Sequence, residues 1–462
     1  MLFSSLTFLY RFLPAVVILY AAVPKKFKNA VLLIASLIFY GWGEPRFLIV
    51  MLISIACGFV FGLLIDRTRG TPRSRLFLIL SVTVSLGFLV YFKYAGFFVR
   101  TLNALGLGLP LVNIALPIGI SFYTFQLVGY AADVYNGRAE ACRNPLDFAA
   151  YTALFPQLIA GPIVRYRDIA GELKSRVVTP ALAAEGTGRF ITGLGKKVLL
   201  ANAFGELAGV CRGAADPSVL TYWLYAGAVT LQTYFDFSGY SDMAIGLGRL
   251  FGFHFPENFD YPYTARSITE FWRRWHITLG RWFRDYVYIP LGGSRVKAGR
   301  HIVNILVVWM LTGFWHGADW QFILWGLFYG LLLILEKYGL RSLLPKLPAA
   351  AAHLYVMAAV IIGFVIFHSA GPAEAAADLG AMFGAGGLPL ISAEALYYLR
   401  SYAVLLVIGI IGATPFVRKV STPLSGSRAG GFLRCLWQAA VLLLVTAYLV
   451  DGSFNPFLYF RF

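Results

Sequence analysis

The sequence predicts an all-α, polytopic integral membrane protein, and three observations carry that prediction. Hydrophobic residues make up 59% of the chain and charged residues only 13%, against roughly 25% charged in a soluble domain. Mean hydropathy is +0.70. Apolar stretches recur along the whole length, and the short loops between them collect the positive charge.

The apolar stretches cover 2–20, 27–42, 46–65, 76–92, 95–132, 148–164, 190–210, 219–236, 302–314, 321–335, 354–370, 402–417 and 432–450. Some are short, and 95–132 is long enough for two segments. About eleven to thirteen helices are therefore expected to cross or enter the bilayer. Residues 2–20 read as a retained first span and not a cleaved signal, because Arg11 interrupts the run and the charges of "AAVPKKFKNA" follow it. The basic loops "PKKFKN" (24–29) and "DRTRGTPRSR" (66–75) are separated by two apolar segments, which places both on the cytoplasmic side and the N-terminus outside. "RYRDIAGELKSR" (165–176) reads as another cytoplasmic loop or surface helix.

No repeat at a fixed period is evident, which argues against a transporter built from duplicated halves. One continuous membrane domain over 1–462 is expected. Its parts would be N-terminal helices (1–135), a motif-bearing catalytic core (136–335) and C-terminal helices (336–462).

A net charge of +17 would suggest nucleic acid in a soluble protein. Here no separate basic domain exists, so the charge is read as fixing topology and meeting anionic lipid head groups, with no nucleic-acid partner. Four scattered cysteines (Cys57, Cys142, Cys211, Cys435) have no paired spacing and support neither a disulfide framework nor a zinc site.

The most basic region, 266–300, reads as an amphipathic helix in or near the membrane interface. Trp272, Trp275, Leu279, Trp282, Phe283 and Tyr286 share one face, while Arg274, Arg281 and Asp285 lie opposite. His276 falls at the edge of the aromatic face, pointing into protein or lipid. Of the other histidines, His254, His301 and His353 lie at segment ends or in loops, where a satisfied interfacial role suffices. His368 closes an apolar run.

His316 stands apart. The stretch "LTGFWHGADW" (311–320) separates two apolar runs, neither of which reaches the roughly 20 residues of a spanning helix. Either two short, tilted helices meet at a polar break inside the membrane, or the runs belong to longer helices and the break is a turn at the surface. Gly313, Gly317 and Asp319 suit a break, and ionisable residues at membrane depth are functional by default. Asp319 would orient His316 or, more simply, cap the helix that begins at Trp320.

If His276 and His316 meet, a metal site lacks supporting ligands, with Asp319 the only nearby carboxylate. A Ser–His–Asp triad lacks its G-x-S-x-G elbow, which "DFSGYSD" (236–242) does not supply. A histidine acting as general base on a hydroxyl remains, which suits acyl transfer from a thioester to an alcohol in a water-excluding cavity. Polar groups in two further apolar stretches should face a shared cavity: Ser121, Gln126 and Asp133 in 116–137, and Gln232, Asp236, Ser238, Ser241 and Asp242 in 231–253. The glycines of the second stretch permit close helix packing.

Read together, these stretches resemble the membrane-bound O-acyltransferase (MBOAT) family, and within it the bacterial alginate O-acetylation branch. The resemblance is carried by "LPIGISFYTFQ" (116–126), "FPQLIAGPIVRY" (155–166), "YFDFSGYSDMAIGLGRLFGFHFPENFDYPY" (234–263) and "FWRRWHITLGRWFRDYVYIPLGG" (271–293). "LTGFWHGADWQFILWGLFYG" (311–330) and the ending "NPFLYFRF" (455–462) complete it. The resemblance implies a ring of membrane helices around a central tunnel, with His316 as the catalytic histidine of a W-H-G motif and His276 as its second histidine. Trp315, Trp320 and Trp275 would wall the tunnel beside Asp319, Gln126, Asp236 and Ser238. It further implies a multi-pass protein of the bacterial inner membrane. Such a protein holds no bound cofactor or metal, takes acetyl from cytoplasmic acetyl-CoA, and passes it across the membrane toward an exported polysaccharide through an SGNH-type partner. Two other readings stand beside it: D-alanyl transfer to teichoic acid, and a transporter or channel without chemistry.

Overall fold

A computed structural model describes residues 1–424 and 427–452; the ending "NPFLYFRF" lies outside the described residues. The chain divides into two compact units, Met1–Phe190 with Asp242–Pro256, and Ile191–Ser241 with Glu257–Phe462. The segment 136–335 therefore contributes to both. Among the described residues the regular structure is helical, with no strand. That is the expected answer to an apolar solvent, where a helix satisfies its own backbone groups.

Among the described residues five helices are long and apolar enough to cross a membrane: Pro45–Arg67, Pro72–Ala104, Trp320–Gly339, Ala349–His368 and Ala429–Asp451. A sixth span is available if Ala393–Ser401 and Ala403–Gly412, bent by 56°, are counted as one. The remaining helices are shorter or carry the polar groups singled out above.

In the first unit, α1 (Lys28–Gly43), α2 (Leu48–Arg67), α3 (Pro72–Leu89) and α4 (Ile120–Tyr135) bring backbones close together. A Cβ at Gly58 or Gly62 of α2 would run into Leu127 or Tyr130 of α4. Small residues at such positions replace the hydrophobic drive that lipid cannot give. Asp133, fully buried near the end of α4, accepts from Arg167 at 3.1 Å, so the basic stretch 165–176 is tied to α4. Gln126 is buried on the same helix.

The helix α5 (Val219–Leu250) has 32 residues, about 48 Å at 1.5 Å per residue. Its two acidic side chains each meet a cation. Asp236 pairs with Lys197 in the second unit, and Asp242 pairs with Arg189 in the first. Its glycines are packing residues: Gly246 and Gly186 each face the other's carbonyl oxygen, and a Cβ on Gly239 would lie 2.8 Å from the Gly193 carbonyl.

The basic region 266–300 is not one amphipathic helix. It forms two short helices, α6 (Ile268–Arg274) and α7 (Ile277–Phe283), broken at Trp275–His276, and then a turn of wider helix at Arg284–Tyr288. The break exists because His276 takes φ 44° and ψ 51°, a left-handed conformation that no helix can continue through. The faces sort only in part: Trp275, Leu279, Trp282 and Phe283 are buried in protein, not in lipid, and Arg281 opposite them is exposed, but Arg274 and Asp285 are half-buried.

The stretch around His316 is a helical hairpin of α8 (Ala298–His316) and α9 (Trp320–Ile334). The structure has the longer helices of the second geometry, joined by a turn in which Gly317 is buried and Asp319 half-buried. α8 starts well before the apolar run and has 19 residues, about 28 Å and close to a bilayer core. Gly313 is not at the break. A Cβ there would strike the Phe322 carbonyl oxygen, and one on Gly326 would strike the Trp309 carbonyl oxygen. The two helices thus pack glycine against glycine. Gly317 does sit in the turn, where a Cβ would collide with the Phe322 ring. Against this hairpin lie α10 (Ala349–His368), whose Gly363 meets the Tyr329 hydroxyl, and α11 (Pro372–Met382).

Candidate active site

The last residue of α8 is His316, and the residue before α7 is His276. Forty positions apart in sequence, their imidazole centroids lie 6.3 Å apart with ring planes at 66°. Both are buried, His316 to 4% and His276 to 3% exposure. Two devices bring them together. The α8–α9 glycine contact sets where α8 ends, and the left-handed turn at His276 swings its ring out of the α6 direction.

An aromatic wall surrounds the pair. Around the His316 ring stand Trp315 at 5.0 Å, Trp325 at 5.1 Å and Phe367 at 5.4 Å between centroids, all edge-to-face. Trp315 also lies 6.1 Å from His276, so it lines both rings. The Phe259 ring lies 6.2 Å from that of His276. Trp275 is buried one layer out, against Phe271 and Phe364.

This wall is anchored by polar contacts at its edges. Glu336, buried near the end of the α9 span, accepts from the backbone N–H of Ile268 and Thr269 and from the Thr269 hydroxyl, which fixes the start of α6. The His276 side chain meets Asn258 Oδ1 at 3.2 Å. Burial pushes the His276 imidazole well below its usual range, so the ring is held neutral.

The other site residues singled out in the sequence fall in different places. Trp320, at the first position of α9, is 47% exposed and stands outside the buried cluster. Asp319 accepts from the Trp320 N–H at 3.0 Å and caps α9, the simpler of its two readings. Asp236 is buried and meets Lys197 at 2.6 Å. Ser238 is buried two residues further along α5, and Gln126 belongs to the first unit.

Of the remaining histidines, His301 bonds the hydroxyls of Tyr288 and Tyr338, His254 meets Glu172, and His353 lies 3.3 Å from the Ala265 carbonyl. His368 meets the Thr233 hydroxyl at 2.8 Å, one residue beyond the Phe367 ring. Among the described residues no three His, Cys, Asp or Glu side chains converge as a metal-ligating group.

The profile of the membrane-bound O-acyltransferase family matches residues 34–369, which include both histidines. The chain belongs to this family. It is an O-acyltransferase and a multi-pass integral protein of the bacterial inner membrane. A protein named probable alginate O-acetylase AlgI in Azotobacter vinelandii is 40% identical over 502 aligned positions, spanning 100% of both chains. A peptidoglycan O-acetyltransferase of Helicobacter pylori is 32% identical, over 100% of this chain and 98% of its own. A teichoic acid D-alanyltransferase of Streptococcus thermophilus is more distant, 29% identical over 49% of this chain and 58% of its own.

Four residues around the candidate site were not singled out from the sequence. Trp325 and Phe367 complete the wall around His316, Asn258 holds His276, and Lys197 neutralises Asp236. Trp325 was open to detection, since Phe322, Trp325 and Tyr329 recur at helical spacing on one face of α9. Asn258, Phe367 and Lys197 carry no local signal, because only the tertiary fold puts them beside their partners.

Proposed function

We propose that this O-acyltransferase takes an acetyl group from cytoplasmic acetyl-CoA and passes it across the membrane for O-acetylation of an exported polysaccharide. The polymer is alginate-, cellulose- or peptidoglycan-like, and an SGNH-type partner protein completes the transfer. The observation that carries this reading is the buried histidine pair, 6.3 Å apart inside an aromatic wall. The names of the full-length relatives support acetyl as the acyl group and a polysaccharide as the acceptor class.

The chemistry asks for what this arrangement offers. His316 takes the proton of the acceptor hydroxyl as its oxygen attacks the thioester carbonyl. The carbon–sulfur bond then breaks and the departing thiolate regains a proton. A neutral imidazole can accept that proton, and the His276 ring lies beside it, 6.3 Å away between centroids. General-base assistance of this kind contributes about 10²–10⁴ in rate. Trp315, Trp325 and Phe367 exclude water, which would otherwise hydrolyse the donor.

The test is transfer by the purified protein in liposomes. Radiolabelled acetyl-CoA is supplied on one side of the membrane, with alginate or peptidoglycan fragments and an SGNH-type acetyltransferase on the other. Label on the polymer supports the reading. Refusal of acetyl-CoA with acceptance of a D-alanyl carrier protein would instead favour D-alanyl transfer, which the distant D-alanyltransferase similarity keeps as the second reading.

A further inference from the structure

We infer that Asn258 is a positioning residue of the acyl-transfer site, setting which nitrogen of His276 handles the proton. The inference rests on the proposed participation of His276 and goes beyond it by assigning the ring's tautomer and the residue that fixes it.

Four hydrogen bonds carry the argument. The Thr278 backbone N–H donates to Asn258 Oδ1 at 3.1 Å, and the Thr278 hydroxyl donates to the same oxygen at 2.8 Å. Asn258 Nδ2 donates to Ser241 Oγ at 3.0 Å, and the Ile277 N–H donates to the Asn258 backbone carbonyl at 2.9 Å. A backbone N–H can only donate, so the amide atom facing Thr278 is the oxygen, and the amide cannot be turned over without setting N–H against N–H. That same oxygen lies 3.2 Å from His276 Nδ1. An amide oxygen can only accept, so Nδ1 carries the hydrogen, and in a neutral ring Nε2 carries the lone pair. Asn258 is 2% exposed, which keeps water from competing for these bonds.

The same side chain pins the strained backbone. His276 precedes α7 in the left-handed region, with no capping side chain of its own. Asn258 supplies the cap from outside, taking the Thr278 N–H on its side chain and the Ile277 N–H on its carbonyl. Orientation of the helix start, ring and tautomer therefore depends on one residue of the 257–261 loop. Of the side chains named here against His276 (Asn258, Phe259, Trp315 and His316), only His316 titrates.

The test compares Asn258→Ala, the isosteric Asn258→Asp and His276→Ala in liposome acetyl transfer, with thermal melting of each. Asn258→Ala should lower kcat by about 10–100-fold with KM little changed, as for other groups that orient a reactive histidine. Asn258→Asp keeps the acceptor for Nδ1 and Thr278 but adds a negative charge beside the ring. It should recover much of the lost kcat and move the acidic limb of the pH profile upward by about 1–3 units. Unchanged kcat in Asn258→Ala, or a pH profile in Asn258→Asp that overlays the parent's, overturns the positioning role. If His276→Ala itself transfers at the parent's rate, the underlying reading of His276 fails instead, so the two failures are told apart.

Discussion

His276 and His316 face each other at 6.3 Å although one precedes a seven-residue helix and the other ends a nineteen-residue one. Neither helix could place its histidine alone. The glycine-to-glycine contact of α8 with α9 fixes one ring, and the left-handed turn held by Asn258 fixes the other.

The wall around the pair should divide its tryptophans by position. Trp325 is buried against His316, whereas Trp320 is 47% exposed. Trp325→Ala opens a void and admits water beside His316, and should cost at least tenfold in transfer and about 3–5 kcal/mol in stability. Trp320→Ala should leave transfer within about twofold of the parent. Steady-state transfer and thermal melting of the two variants check this.

Close packing of the hairpin should be equally position-dependent. Gly313→Ala and Gly326→Ala each force a methyl into a facing carbonyl, so they should lower the melting temperature and displace His316 enough to cut transfer. Gly299→Ala, at the open start of the same helix, has nothing within 4 Å of its new methyl. It should change stability by no more than about 0.5 kcal/mol. Equal effects from all three would argue against the backbone contact as the positioning device.

The pair of Lys197 and Asp236 is buried on both sides, at 4% and 1% side-chain exposure. Removing one partner leaves the other charge buried without its counter-ion. Lys197→Met or Asp236→Leu alone should therefore destabilise by about 3–5 kcal/mol, while the double replacement should recover most of that loss. Denaturation of the three variants in detergent reads the coupling directly.

Strain at His276 gives a separable prediction. A side chain held in the left-handed region costs about 1–2 kcal/mol, and glycine is spared that cost. His276→Gly should therefore melt above His276→Ala by about 1 kcal/mol, although both lose transfer. A reversed order would mean that the turn is not strained.

Much of this was legible in the sequence, and the failures have physical reasons. Apolar runs gave the helical membrane class, and "LTGFWHGADW" marked His316 because a histidine between apolar runs needs a partner. The first run understates its helix because α8 also takes in Ala298, Gly299, Arg300 and His301. Hydropathy does not register such polar helix starts. The 266–300 region read as one helix because a helical wheel sees residue type and spacing but not a single left-handed residue. Trp320 and Trp315 look alike in sequence, yet Trp315 precedes His316 inside α8 while Trp320 begins the next helix after the turn. Asn258 could not be found from spacing, since its role depends on a loop brought against α7 by folding.

The central claim is that His276 and His316 act as one unit in acyl transfer. Its most direct test is single-turnover transfer from radiolabelled acetyl-CoA by the parent, His276→Ala, His316→Ala and the double variant, each shown to be folded. Groups that act together lose their contributions non-additively. His316→Ala should lose about 10³-fold or more and His276→Ala a comparable amount, with the double variant little worse than His316→Ala. Transfer at the parent's rate in His316→Ala, or losses that multiply in the double variant, would contradict the claim.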